Sequence, residues 1–322
     1  MIYCASMRPV VAVDLGGTNI RAAFYPNGEP PATSNASRPT RAGEGPQAVL
    51  DRIHDAIEAL DIPAPARKTM AIGIGAPGPL DHVRGVVLHA PNLPGWEHIR
   101  LGEILQERWA CPVLVENDAN LAVLGEWRFG AGRGAHHIVM LTLGTGIGGG
   151  VIVDDRLVRG AHGLAGELGH IPVQLDGPRC SCGQPGHLEA LASGTAIARL
   201  VREQGGLSEG GSTGEPTAEE IAAAARAGDP VARSVLQTAS HALGAALAGL
   251  VHTFNPERIL LGGGVARAGG AFLEDVKRAL IASLMDPAFG EGLDVLPSAL
   301  GDEAALLGAL TLVDQRDRGM ET

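Results

Sequence analysis

Three times along the chain a short run of β-branched and other apolar residues leads straight into a glycine-rich turn. Residues 10–13 precede DLGGTN, residues 138–142 precede LGTGIGGG, and residues 259–261 precede GGGVA. Short apolar runs bounded by glycine read as buried strands. After the first two turns strand-like residues resume, at 20–25 and 150–153, which predicts a duplicated α/β unit. Between the strands the apolar spacing becomes helical. Residues 48–60 carry it, Thr217 and Glu220 form a capping-box pattern before IAAAARAG, and Asp229-Pro230 opens a long small-residue helix that runs to about Phe254. A strand at 113–115 hands over to a helix at the tripeptide END, and a last helix covers 304–313. Strands alternating with helices predict the α/β class. Residues 63–68 read as a short connection, and 205–215, rich in Gly, Ser and Thr, as a mobile surface loop.

A chain of 322 residues, at roughly 150 residues per domain, has room for two domains with a core each. The boundary is expected near Glu116, where a strand ends and a helix begins. The formal net charge of -11 repels phosphodiester backbones and anionic lipid surfaces, and there is no basic patch to offset it, so neither nucleic acid nor membrane is an expected partner. The segment MIYCASMRPV lacks the pattern of a secretory signal, and no run of about 18 uninterrupted apolar residues occurs, which places the expected location in the cytoplasm. Translation from Met7 instead of Met1 stays open. Cys4 and Cys111 stand apart while Cys180 and Cys182 sit together, a spacing that in a reducing compartment reads as metal binding.

The glycine turns are the first candidate chemistry. A phosphate needs several backbone N–H donors close by, and glycine permits both the close approach and the positive-φ turns that aim them. Asp14, Gly16, Gly17, Thr18 and Asn19 form one such turn, and Gly144, Thr145 and Gly146 another, each with a threonine hydroxyl as a further donor. For either turn alone a structural role and a phosphate role are equally open. Neither fits GxxxxGK[ST] or the dinucleotide GxGxxG, and the third turn at Gly262, Gly263 and Gly264 shifts the balance toward phosphate.

The motifs VAVDLGGTNIR (11–21), IGIGAPGPLD (72–81), NLPGW (92–96), VENDANLAVLGEW (115–127), LTLGTGIGGG (141–150), GELGH (166–170), CSCGQPGHLEALASG (180–194) and ILLGGGVA (259–266) follow one another in an order that resembles the ROK proteins. That family comprises repressors, open reading frames and sugar kinases of the actin-like ATPase superfamily. The resemblance runs from about residue 9 to about residue 312. It implies a two-lobed actin-like ATPase (ribonuclease H-like) fold with duplicated α/β domains around a cleft. A small domain would cover 1–116, with the C-terminal helix at about 304–322 returning to it, and a large domain 117–303 would carry a zinc site.

It also implies an ATP-dependent hexose kinase. The first two glycine turns would grip the ATP phosphates from opposite lobes, Asp14 would help to hold Mg2+ through water, and Gly262 to Gly264 would line the adenine side. On residue type alone, Asp118 at a strand-to-helix turn reads as a helix N-cap. The resemblance makes it instead the base that accepts the proton of the sugar's 6-hydroxyl, with Asn117 on neighbouring hydroxyls. Glu167, His170 and Glu189 match positions at the anomeric end and O2 of the sugar, and Gly75 and Asn92 positions near O3. The family's zinc site uses a histidine and three cysteines. Here His170, Cys180 and Cys182 are present, but His187 stands where the third cysteine is expected, giving a structural His2Cys2 set that would clip the 171–187 loop.

Repressors of the family carry a helix-turn-helix of about 60–80 residues before the first glycine turn. Thirteen residues precede it here. A sugar-binding module without catalysis would not need Asp118 together with two phosphate turns. Glucose leads as substrate, ahead of N-acetylglucosamine, N-acetylmannosamine, mannose, fructose and allose, and the family's habits imply a homodimer or homotetramer.

Overall fold

The computed structural model describes residues 8–206 and 216–319. The alternative start at Met7, Cys4, and residues 207–215 of the loop expected at 205–215 lie outside the described residues. The chain divides into two compact units: Met1–Arg133 with Arg159–Ala165 and Asp302–Thr322, and Gly134–Val158 with Gly166–Gly301.

In the first unit the order is β1 (Val10–Leu15), β2 (Asn19–Tyr25), β3 (Ser34–Pro39), α1 (Pro46–Glu58), α2 (Ala64–Arg67), β4 (Ala71–Ala76), β5 (Leu80–Asp81), β6 (Val86–His89), β7 (Glu97–Ile99), α3 (Leu101–Trp109), β8 (Val113–Asn117) and α4 (Asp118–Phe129). The connection expected at 63–68 is therefore a short helical turn, α2, with Pro65 in its first turn, where a missing N–H costs nothing. The main sheet runs β3-β2-β1-β4-β8, antiparallel across β1–β2 and β2–β3 and parallel across β1–β4 and β4–β8. Strand β1 is apolar on both faces because both are covered. On one side α1 presents Val49, Leu50, Ile53, Ala56 and Ile57, spaced to form one helical stripe, to a core that includes Val11, Val13, Phe24, Ile72 and Ile74.

The second unit holds β9 (Ile138–Leu143), β10 (Ile147–Val153), β11 (Arg156–Leu157), α5 (Glu189–Ala192), α6 (Gly194–Glu203), α7 (Ala218–Ala227), α8 (Pro230–Phe254), β12 (Arg258–Gly262), α9 (Gly270–Ser283) and β13 (Asp294–Pro297). Its sheet, β11-β10-β9-β12-β13, repeats the strand senses of the first: antiparallel, antiparallel, parallel, parallel. The duplication anticipated from the two strand–turn–strand stretches is thus a duplication of topology. The capping box at Thr217 and Glu220 starts α7, and Asp229 caps α8 with Pro230 at its first position. By length and composition α8 could cross a membrane, but it is the central core helix of this unit, burying Val235, Ala239, Leu243, Leu247, Leu250 and Val251. Its small residues serve helix packing, since a Cβ on Gly244 would lie 2.4 Å from the Cβ of Ala279 on α9.

The last helix, α10 (Ala304–Asp317), groups with the first unit. The first stretch of that unit continues through Arg133, and α4 is clamped to α10 within it. A Cβ on Gly308 would lie 1.8 Å from the carbonyl oxygen of Leu121, and one on Gly125 would lie 2.1 Å from that of Ala304. Two glycines let the helix backbones touch, and Arg128 adds a buried 2.6 Å ion pair to Asp314. The segment Arg159–Ala165, flanked by chain of the second unit, also groups with the first, a placement that no residue pattern announces.

Candidate active site

The first glycine turn joins β1 to β2. Gly16 N–H donates to the carbonyl of Asn19 at 3.0 Å, closing the turn. Fully buried Thr40 staples it from outside: its N–H donates to the Thr18 carbonyl at 2.7 Å and its hydroxyl to the Gly16 carbonyl at 2.6 Å. A Cβ on Gly17 would stand 3.4 Å from the Cβ of Asn92, so the expected O3 residue lies against this turn. Asp14, next to last in β1, has its carboxylate 3.6 Å from Nη1 of Arg21, whose Nη2 donates to Asp302 at 2.8 Å. Burial pushes the Asp14 carboxyl up to about 6, against the opposing pull of Arg21. A buried acid held above its ordinary range is a group that a cation would favour.

The END turn stands at the carboxyl ends of parallel strands β4 and β8, where Gly75 pairs with Glu116 and Ala76 with Asn117. That is where open α/β sheets place their chemistry. The cap of α4 is Asn117, whose Oδ1 accepts from the N–H groups of Ala119 at 2.9 Å and Asn120 at 3.2 Å. Asp118 is the first helical residue, with Oδ1 2.8 Å from the Ala119 nitrogen. The capping reading of Asp118 therefore belongs to its neighbour. Gly75 permits the arrangement, since a Cβ there would come within 3.0 Å of Leu121 and 3.4 Å of the Asp118 Cα.

In the second unit the LGTG turn is closed by Gly144 N–H donating to the Gly146 carbonyl at 2.9 Å, and Gly194 N–H donates to the Gly144 carbonyl at 2.8 Å. The third turn backs onto it: Gly263 has φ +87°, and a Cβ there would lie 2.4 Å from the Leu143 oxygen. Gly262 abuts Ser298, while Gly264 has ordinary helical angles. Glu189, at the start of α5, accepts from Ile147 N–H at 3.0 Å through Oε2 and from the Ser181 hydroxyl at 2.6 Å through Oε1. Glu167 enters a short helical turn, Leu168–His170, with its carboxylate 4.0 Å from His170 Nε2. Burial raises the Glu167 carboxyl above its usual range; His170 opposes this and Glu189 adds to it.

The other face of the His170 ring meets the cysteines. Nδ1 lies 3.5 Å from Cys180 Sγ, Cys182 Sγ lies 3.3 Å from His187 Nδ1, and the four ligand atoms fall within 4.8 Å of one another. Tetrahedral zinc with bonds of about 2.0–2.3 Å spaces its ligands about 3.3–3.8 Å apart; the two close contacts match that spacing, and the full set, within 4.8 Å, would have to draw together around an ion. The loop that carries it is folded tightly on itself. Pro172 bridges to His187 and Arg179 to Pro185, and a Cβ on Gly186 would fall 1.6 Å from the Gln174 oxygen. Burial pushes the Cys180 thiol up to about 11, so a metal would have to displace a proton there.

A profile of the ROK family matches residues 10–316. The chain belongs to the ROK family. It is 38% identical over 319 residues to a glucokinase of Thermotoga maritima, covering 96% of this chain and 98% of that protein. Among solved structures, a ROK hexokinase from Thermus thermophilus matches with a TM-score of 0.80 at 37% identity, covering 96% of this chain and 99% of that one. A ROK family glucokinase from Streptomyces griseus, solved with glucose and AMPPNP, matches with 0.79 at 36%, covering 94% and 98%.

Two supporting residues of this ROK chain are invisible to sequence reasoning. Thr40 ends the polar run SNASRPT, which carries no motif, and only the fold brings it to the first turn. Ser181 lies inside the CSC motif, yet its bond to Glu189 depends on how the loop closes.

Proposed function

We propose that this ROK chain is a soluble, cytoplasmic, ATP-dependent glucokinase. The observation that carries the reading is the near-full-length relation to a glucokinase at 38% identity. The local chemistry agrees with it. A neutral hexose offers only hydroxyls, and Asn117, Asp118, Glu167, His170 and Glu189 offer the amide, carboxylate and imidazole partners that hydroxyls need. Gly75 and Asn92 are assigned to the O3 side.

In this reading the oxygen of the sugar's 6-hydroxyl attacks the γ-phosphorus of ATP. The new O–P bond forms as the bond to the β,γ-bridging oxygen breaks, ADP leaves with that electron pair, and the hydroxyl proton passes to the Asp118 carboxylate. Because phosphoryl transfer is largely dissociative, Asp118 chiefly orients the hydroxyl and accepts its proton late. In the first two turns Gly16 and Gly144 close the backbone with their own N–H groups, Gly17, Thr18 and Asn19 with Thr145 and Gly146 are assigned as N–H and hydroxyl donors to the phosphates, and Gly262 to Gly264 form the adenine side. Mg2+ would supply charge neutralisation on the phosphates, and Asp14 is the residue assigned to hold it. Zn2+ would supply structural cross-linking, held by His170, Cys180, Cys182 and His187, so that Nε2 of His170 and the carboxylate of Glu189 stay aimed. A homodimer or homotetramer is the assembly assigned to it.

The test is a coupled assay with ATP across glucose, N-acetylglucosamine, N-acetylmannosamine, mannose, fructose and allose, ranked by kcat/KM. Glucose should rank first. A different hexose at the head of the ranking would keep the kinase and replace the substrate, and no turnover with any of them would overturn the reading.

A further inference from the structure

The carboxylate of Glu116 is buried, 1% exposed, immediately before the END turn's Asn117 and Asp118. Its Oε1 accepts from the backbone N–H of Asn117 at 2.9 Å and from Nδ2 of Asn120 at 3.0 Å. One oxygen thus holds the residue before Asp118 and the residue two after it. The other oxygen, Oε2, accepts from Nε of Arg159 at 2.8 Å, with side-chain exposures of 2% and 14%. Arg159 opens the segment Arg159–Ala165, which groups with the first unit although the chain on both sides belongs to the second. That segment is itself braced: Ala165 N–H donates to the Arg159 carbonyl at 3.0 Å, and Gly163 packs on His82, where a Cβ would lie 2.5 Å from Nδ1.

We infer that Arg159 is a positioning residue for phosphoryl transfer: through Glu116 it fixes the backbone of Asn117 and the side chain of Asn120, and so the place of Asp118 at the start of α4. The inference rests on the kinase reading of Asp118. A carboxylate clamp on a helix cap needs an ionised, oriented acceptor, and the opposing guanidinium supplies the charge and the direction together. A base displaced by about 1 Å from a far contact loses on the order of 10²-fold in rate. The simpler alternative is a buried ion pair that only stabilises the fold. The two differ in what happens when the pair is replaced by a neutral pair of similar volume, because removing both charges relieves the cost of a lone buried charge but leaves the clamp slack.

The experiment compares wild type with Glu116→Gln, Arg159→Met, Arg159→Lys and the double variant Glu116→Gln/Arg159→Met. In Glu116→Gln the amide still offers Oε1 to Asn117 and Asn120 but faces Arg159 with a second donor, and Arg159→Met leaves the carboxylate without its counter-charge. The expected result is a loss of roughly 10- to 100-fold in kcat for each, with KM for sugar and ATP within about 3-fold of wild type. The double variant should melt above the singles yet stay low in kcat, and Arg159→Lys should recover part of the loss. Hydrogen exchange of the amides at 117–120 reads the clamp without any reaction, and should quicken about 10-fold in Arg159→Met and in the double variant while exchange elsewhere in the unit is unchanged. A double variant with wild-type kcat, or unchanged exchange at 117–120, would overturn the inference. If wild type phosphorylates no hexose, the kinase reading fails by itself, and the exchange measurement still decides whether the clamp exists.

Discussion

The carboxylate of Glu189 accepts a hydrogen bond from the backbone N–H of Ile147 at 3.0 Å, at the exit of the LGTG turn. Through its other oxygen the same side chain holds Ser181, inside the loop that bears the cysteines. A residue assigned to the sugar is therefore also the link between the cysteine-bearing loop and the LGTG turn, and disturbance of either should be felt at the other.

The two glycines of this turn separate a structural role from a phosphate role. A Cβ on Gly146 would lie 2.5 Å from Glu189 Oε2, whereas one on Gly144 meets nothing nearer than 4.0 Å. Gly146→Ala should push Glu189 aside and raise KM for both glucose and ATP, with a loss of about 10²-fold in kcat/KM. Gly144→Ala should fold and melt like wild type but lose roughly 10-fold or more in ATP affinity, because its methyl group would stand where a phosphate approaches the backbone. Calorimetric titration with a non-hydrolysable ATP analogue measures this. Unchanged affinity in Gly144→Ala would make the turn merely structural.

Asp14 sets a pH dependence with two opposite signs. Burial raises its carboxyl from the ordinary 3.8 to about 6. The folded state therefore binds this proton more tightly than the unfolded chain does. The associated stability is full below about pH 4 and is lost as pH rises through 6, on the order of 3 kcal/mol in all. Asp14→Asn should accordingly stabilise the metal-free protein at pH 7 by about 1–2 kcal/mol, since Arg21 keeps Asp302 as a partner, while removing most activity. Activity runs the other way: wild-type kcat/KM for MgATP should fall as pH drops below about 6, where Asp14 gains its proton. Urea unfolding without magnesium and a pH–rate series check the two signs.

The histidine in the metal set should make the site sensitive to acid. The native protein is expected to hold about one zinc per chain, and Cys182→Ala to lose both metal and activity. His187→Cys should keep both and resist chelator and acid better than wild type, because it replaces a neutral ligand by an anionic one; His187→Ala should lose much of both. Metal content against pH for these four proteins is the measurement. A full complement in His187→Ala would show that the ring is not a ligand.

Much of this was legible along the chain because the signals are local. The strands before the glycine turns, the capping box at Thr217 and the proline opening of α8 each depend on a few neighbouring residues. The END turn announced a strand-to-helix handover for the same reason. What could not be read depends on the fold. Clamping of α4 to α10 through Gly125 and Gly308 holds α4 in the first unit, and those glycines look no different in sequence from turn glycines. Thr40, Ser181 and Arg159 act on residues 24, 8 and 43 positions away, a separation at which residue type alone says nothing about contact.

The most direct measurement is the turnover of Asp118→Asn with glucose and ATP. The substitution keeps the size of the side chain at the first position of α4 and leaves the Asn117 cap in place, so the variant should melt within a few degrees of wild type and bind glucose with little change. With its proton acceptor gone, kcat should fall roughly 10³-fold or more. A variant that retains more than a tenth of wild-type turnover would contradict the role of Asp118, and with it the proposed mechanism.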